Sequence, residues 1–134
     1  MNSGETDLEK LLTLMQPELL PGKFVFCTIP KAAYGDCQEL NPIACYREKE
    51  GLSLLLDKKD ADAAELEYSA VFRGITLTVH SSLEAVGFTA AVSSKLASHG
   101  ISSNVVAAHY HDHLFVPADK AEQALQLLTE FSHS

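Results

Sequence analysis

The sequence predicts an α+β fold of two βαββαβ halves, each an antiparallel sheet with helices on one face. Three observations carry this reading. Strand-like alternation recurs in short runs, two amphipathic helical stretches stand next to hairpin-like segments, and the order of these elements repeats along the 134 residues. An offset of 62 carries Ile43, Leu52, Leu54, Asp57 and Lys58 onto Val105, Leu114, Val116, Asp119 and Lys120. An offset of 51 carries Phe24, Phe26 and Thr28 onto Ile75, Leu77 and Val79. The first half therefore lacks 62 − 51 = 11 residues between its first strand and its hairpin, the length of a missing or shortened helix. The division falls at 1–66 and 67–134, with a strand over 68–72 closing the first sheet.

Each element has a local reason. Leu8, Leu11, Leu12 and Met15 fall at helical spacing, and Pro17, Pro21 and Gly22 end that segment. KFVFCTIP alternates Phe24, Phe26 and Thr28 with Val25, Cys27 and Ile29, a strand stopped by Pro30. After a loop over 31–42, IACYRE and LSLLLD flank Lys49, Glu50 and Gly51 as a hairpin. Residues 57–66 supply about two helical turns, and a further strand runs through ITLTVHS, with Gly74 expected to bulge or break it. Phe88, Val92 and Leu96 form a helical stripe that Gly100 terminates. Its start has two solutions: a capping box from Ser81 to Glu84, which places Gly87 inside the helix at about 1 kcal/mol, or a tight loop over 82–87. A second hairpin joins 104–108 to 114–116 with His111 and Asp112 near its bend. The last helix carries Ala121, Leu125, Leu128 and Phe131, with Asp119 and Glu122 at its positive end.

Composition narrows the function. The chain is 46% hydrophobic and 21% charged, ordinary globular values, and its net charge is −8. The bases are eight lysines with Arg47 and Arg73, a poor match to a phosphate-tracking surface, so no nucleic-acid partner is expected. The apolar runs fall short of the roughly 20 residues of a membrane span, and the acidic start MNSGETDLEK does not look like an export signal. Cys27, Cys37 and Cys45 match no close metal-ligand pair and cannot all pair internally, which points to a reduced, cytoplasmic setting. Cys27 and Cys45 read as buried strand residues, and Cys37, in a polar loop, as the one to test for reactivity.

The segment ITLTVHSSLEAVGFTAAVSSKLASHGISSNV resembles an ACT domain, a small ligand-binding regulatory module of amino-acid metabolism with a ferredoxin-like fold. The resemblance lies in the strand 75–79, Glu84 in an acidic turn, Gly87, the helix 88–98, and Gly100 with Ile101 leading to the second strand. The family more often has Asp where Glu84 stands and Pro where Val86 stands. The continuation SSNVVAAHYHDHLFVPADKAEQAL looks like a group of small bacterial two-ACT proteins, and is similar to the ACT halves of animal cytosolic arginine sensors. The last 60 or so residues carry nearly all of this; the first half enters through the offsets.

The resemblance implies that ACT domains pair, giving a homo-oligomer, and that effectors, often amino acids, bind where the strand-to-helix loop faces a second strand. Carried over by position, the ligand residues are Leu83, Glu84, Val86, Gly87 and Phe88 in the loop and Ile101, Ser103 and Asn104 on the strand. The chemistry agrees with that placement: a glycine admits close backbone approach, and the N–H groups opening a helix favour a carboxylate. Glu84 would receive an ammonium or guanidinium group. The alternative is a tight turn at Gly87 without a ligand and an Asn104 that bonds to backbone.

The peptide HYHDHLF gathers His109, His111, Asp112 and His113, donors suited to zinc or another divalent ion. In an unbroken strand the three histidines share a face, whereas a turn at His111 and Asp112 puts His109 and His113 on opposite faces. With Asp112 making the turn and His111 facing solvent, no metal and no cofactor are expected. His80, His99 and His133 read as strand-end, helix-end and tail residues. His111 or His113 with Asp112, or Cys37 as nucleophile, would supply catalytic groups, but no GxSxG, phosphate loop or carboxylate pair accompanies them. The expectation is a non-enzymatic regulatory or sensory protein for an amino acid or related small molecule, acting through oligomerisation or a partner. Its rivals are a ligand-free scaffold and a metal-dependent enzyme at the HYHDH hairpin.

Overall fold

The computed structural model describes the chain apart from residues 1–3, Glu5, Leu83 and Ser134. It divides into two compact units, residues 22–72 and residues 1–21 with 73–134.

In the second of these, helix α1 (Leu8–Leu14) begins where the Asp7 carboxylate accepts from Lys10 N at 3.1 Å. Leu11 and Met15 are fully buried. Strand β1 (Pro17–Leu19) follows and pairs antiparallel with β5 (Phe72–Leu77), Pro17 opposite Leu77 and Leu19 opposite Ile75. The sequence gives no warning of β1, because three residues opening on proline carry no period; an outer position tolerates the missing N–H. β5 runs unbroken through Gly74, with no interruption there. Helix α3 (Phe88–Ala97) leads to the hairpin of β6 (Asn104–Ala107) and β7 (Asp112–Pro117), and α4 (Ala121–Thr129) completes the set. The strand order is β1-β5-β7-β6, and β6 pairs antiparallel with β7. Ile75 and Leu77 of β5 and Leu114 and Val116 of β7 share one face. Onto that face pack Phe88, Val92 and Leu96 of α3, Ala121, Ala124 and Leu128 of α4, and Leu11 and Met15.

The unit of residues 22–72 has β2 (Phe24–Ile29), the hairpin β3 (Ala44–Glu48) and β4 (Gly51–Asp57), and α2 (Lys58–Ala63). β4 is central, antiparallel to β2 and to β3, and Phe24 pairs with Phe72. No strand covers 68–71; Phe72 alone, at the head of β5, takes the closing position. The shortened helix that the offsets imply is one 3-10 turn, Gln38–Leu40. Val25, Cys27, Leu52, Leu54, Leu56 and Ala61 build the core, and Cys37 joins them. The cysteine expectation is thereby corrected: Cys37 is buried and Cys45 exposed. Cys45 lies opposite Leu54 on the core-side face of an outer strand, but no helix comes down over it. Each unit is a sheet of antiparallel pairs with helices, a tandem ferredoxin-like α+β architecture.

Candidate functional site

The connection from β5 to α3 is a built loop. Ser81 and Ser82 are only 6% and 8% exposed. Ser81 donates to the buried Asp112 carboxylate at 3.0 Å, and Ser82 Oγ accepts from Glu84 N at 3.1 Å. Ala85 N closes the turn on Ser82 O. Serines already committed to these bonds do not cap a helix, so the tight-loop solution holds and α3 starts at Phe88. Gly87 is its N-cap at φ 88°, a left-handed conformation that glycine adopts without a Cβ penalty. Among the described residues no side chain caps the first turn of α3, and no acid lies in that turn. The N–H groups opening a helix carry partial positive charge.

The other residues named from the sequence divide in kind. Glu84 and Val86 are exposed. Phe88 and Ile101, 2% and 1% exposed, send their side chains into the same core, so near a ligand they offer main chain. Ser103 is half-buried and donates to Ser93 of α3 at 3.4 Å, and Asn104 opens β6 with its amide donating to Phe115 O at 3.2 Å. Asn104 thus makes the backbone bond of the alternative reading. Leu83 lies outside the described residues.

The imidazole-rich turn is arranged differently from its sequence reading. Asp112 does not make the turn: it opens β7 opposite Ala107, is 6% exposed, and is held by Ser81. His111 is half-buried, Nδ1 lying 3.5 Å from Val79 O, and does not face solvent freely. His113 Nδ1 meets Thr76 Oγ1 at 3.0 Å; burial first, then His111, hold its pKa down against the pull of Asp112. His80, whose buried Nε2 has no partner among the described residues, lies 5.1 Å from Tyr110 and 6.0 Å from His109, ring centre to ring centre. Among the described residues no three of His, Cys, Asp or Glu converge as a metal site. The Cys37 thiol is pushed up by burial first, then by Glu39 and Asp36, the direction opposite to an activated nucleophile.

The fold and this loop define a class: paired ferredoxin-like modules with a glycine-gated connection ahead of the first helix. Residues 3–73 and residues 70–130 each match an ACT domain, and the chain belongs to the ACT-domain family. It is similar to a Vibrio cholerae protein of unknown function described as a possible transport protein, at 58% identity over 93% of this chain and 95% of that one, TM-score 0.86. An Agrobacterium tumefaciens protein matches at 17% identity over 88% and 89%, TM-score 0.72. The ligand-free regulatory subunit of aspartate kinase from Thermus thermophilus matches at 12% identity over 85% and 94%, TM-score 0.62, which shows the shared fold. No curated protein matches. ACT domains are regulatory modules that bind small molecules. Among the described residues no helix is long and apolar enough to cross a membrane.

Proposed function

We propose that this protein is a non-enzymatic amino-acid sensor whose effector sits on the β5-to-α3 loop. The observation that carries the reading is the start of α3: a left-handed Gly87 in front of a first turn with no acid and, among the described residues, no side-chain cap. An effector carboxylate is received by the N–H groups of that turn, and exposed Glu84 takes the ammonium or guanidinium group. Val86 supplies apolar cover, while Ser103 and Asn104 contribute polar groups from the strand side. The signal passes through self-association or through a partner chain in the cytoplasm.

A thermal-shift panel of the amino acids tests this directly. An effector at about 100 times its Kd adds about 2.7 kcal/mol of stability. Ala90→Glu then separates folding from binding. An acid on this exposed position of the first turn favours the helix by about 0.3–1 kcal/mol yet repels an effector carboxylate. The variant is expected to keep or raise its Tm and lose the shift; Glu84→Gln is expected to weaken cationic amino acids selectively. A silent panel, or a shift that survives Ala90→Glu, refutes the placement.

A further inference from the structure

We propose that the recess over Leu52 and Leu54 is a second binding site, one that takes an uncharged, ring-sized molecule with a hydrogen-bonding end. It lies wholly within the unit of residues 22–72 and is separate from the helix start assigned to the effector.

The recess follows from the pattern of β4. Leu52, Leu54 and Leu56 alternate with Ser53 and Leu55, so all three face the helix side of the sheet. At one end α2 packs its fully buried Ala61 into this core. At the other end the chain supplies only the 3-10 turn Gln38–Leu40, which buries none of its own residues. A cavity of about 350 Å³ remains there, within the range of small-molecule sites. Leu52 and Leu54, 2% and 1% exposed, are its floor, so this is a walled recess and not an open sheet face.

Hydrogen bonds fix the wall. Asp36 Oδ2 accepts from Ala33 N at 2.8 Å, and Asp36 N donates to Ala33 O at 3.0 Å. Leu40 N and Asn41 N close the turn on Cys37 O and Gln38 O at 3.1 and 3.0 Å. Asn41 ends it at φ 51°, a left-handed conformation that asparagine tolerates. A loop fastened in this way does not have to be ordered when a ligand arrives.

The lining chooses the ligand. In a chain with a net charge of −8, no Asp, Glu, Lys, Arg or His among the described residues lines the recess. The Cys37 thiol, 7% exposed, stays protonated, because burial first and then Glu39 and Asp36 push its pKa up. An ion entering here would give up water and meet no counter-charge. The polar groups present, the amides of Gln38 and Asn41 and the Tyr34 hydroxyl, donate and accept hydrogen bonds without charge. Cys45 lines the recess and is exposed, so its thiol reports whether the recess is occupied.

The test uses the full chain and four probes. Benzamide, benzoate and benzylamine share a ring and differ in charge, and acetamide keeps the amide without the ring. Benzamide is expected to bind with a Kd of about 1 mM, suited to a fragment of its size, and to move the amide resonances of Cys37, Cys45, Leu52 and Leu54. Benzoate and benzylamine are expected to bind about tenfold more weakly, and acetamide to leave the spectrum unchanged at the same concentrations. At about nine times its Kd benzamide slows alkylation of Cys45 by iodoacetamide about tenfold, since about one site in ten stays open. Cys45→Phe fills the recess from an exposed strand position that suits an aromatic side chain, and is expected to keep its Tm and lose benzamide binding. Tyr46→Ala, on the opposite face of β3, is expected to bind as the parent does. Charged probes that bind as well as benzamide, resonances at these four residues that stay in place, Cys45 alkylation that benzamide does not slow, or binding that survives Cys45→Phe overturns the proposal. The first three readouts use the parent chain and need no variant to fold.

Discussion

The two units treat the same stretch of chain differently. After its first strand the C-terminal unit builds α3, ten residues that send Phe88, Val92 and Leu96 into the core. At the corresponding place the N-terminal unit has the 3-10 turn Gln38–Leu40, which buries none of its own residues. Over Leu52 and Leu54 a cavity of about 350 Å³ opens there, bordered by Tyr34, Cys37, Gln38 and Cys45. The comparison teaches that a sheet floored by large aliphatic side chains holds together without a covering helix, while the helix start proposed to receive an effector goes with that helix. A three-residue turn with Glu39 in it presents neither the row of free N–H groups nor the absence of negative charge that α3 presents. Binding at a helix start is accordingly expected in one unit only.

The largest expected effect tests that asymmetry of packing. Leu96→Ala removes a fully buried side chain of α3 and is expected to cost about 2–5 kcal/mol in urea unfolding. Leu40→Ala removes a partly buried one that borders an existing cavity, so its neighbours lose fewer contacts, and a cost of about 1 kcal/mol is expected. Equal losses would remove the distinction between the two connections.

Next in size is the bond that fastens the loop to the hairpin. Asp112→Ala leaves the buried Ser81 hydroxyl without its acceptor, and about 1–3 kcal/mol is expected to go. Asp112→Asn keeps an oxygen there and is expected to cost less. The loop amides, followed by hydrogen exchange, should lose protection before the core of α3 does.

Much of the fold was legible because periodicity survives wherever one face is buried. The stripe of Phe88, Val92 and Leu96 and the offset of 62 that carries Leu52 and Leu54 onto Leu114 and Val116 join core positions, whereas the offset of 51 slips by one residue: the first core takes Val25 and Cys27 while Phe26 is 37% exposed, and the second takes Ile75 and Leu77. What escaped has no period. β1 is three residues long and begins with proline. The start of α3 depended on whether Ser81 would cap the helix or bond to Asp112, thirty-one residues away, and only the tertiary partner decides that. Cys37 and Cys45 exchanged their expected roles for a similar reason: a 3-10 turn buries one thiol, and the absence of a helix exposes the other. Of the candidate site, Gly87 and Glu84 were named through the family resemblance, and the left-handed φ of Gly87 is the local geometry that goes with them. The packing of Leu8 against Gly87 and of Gly4 against Ser81 and Ser82 was not legible, since nothing local links residues 4 and 8 to residues 81–87.

The smallest expected effects set the two units apart by pH. In the C-terminal unit His113 has its pKa held below the ordinary 6.5, chiefly by burial. The unfolded chain then binds a proton that the folded one resists, so this contribution is complete above 6.5 and is lost as pH falls through that value toward the lowered folded pKa. His113→Gln is expected to flatten the fall of Tm across that range. In the N-terminal unit the titrating group is Asp62, held below the ordinary 3.8 by hydrogen bonds from Lys58 at 2.7 Å and from Tyr68 at 2.6 Å. Its contribution is present above 3.8 and disappears only as pH drops through the lowered folded value. Because this cluster is exposed, Asp62→Asn is expected to leave Tm at pH 7 almost unchanged and to alter only the acid limb. Site-resolved exchange between pH 7 and pH 5 should therefore loosen the His113 strand while the β2–β4 pairing holds. Loosening of both together would mean that the two units unfold as one.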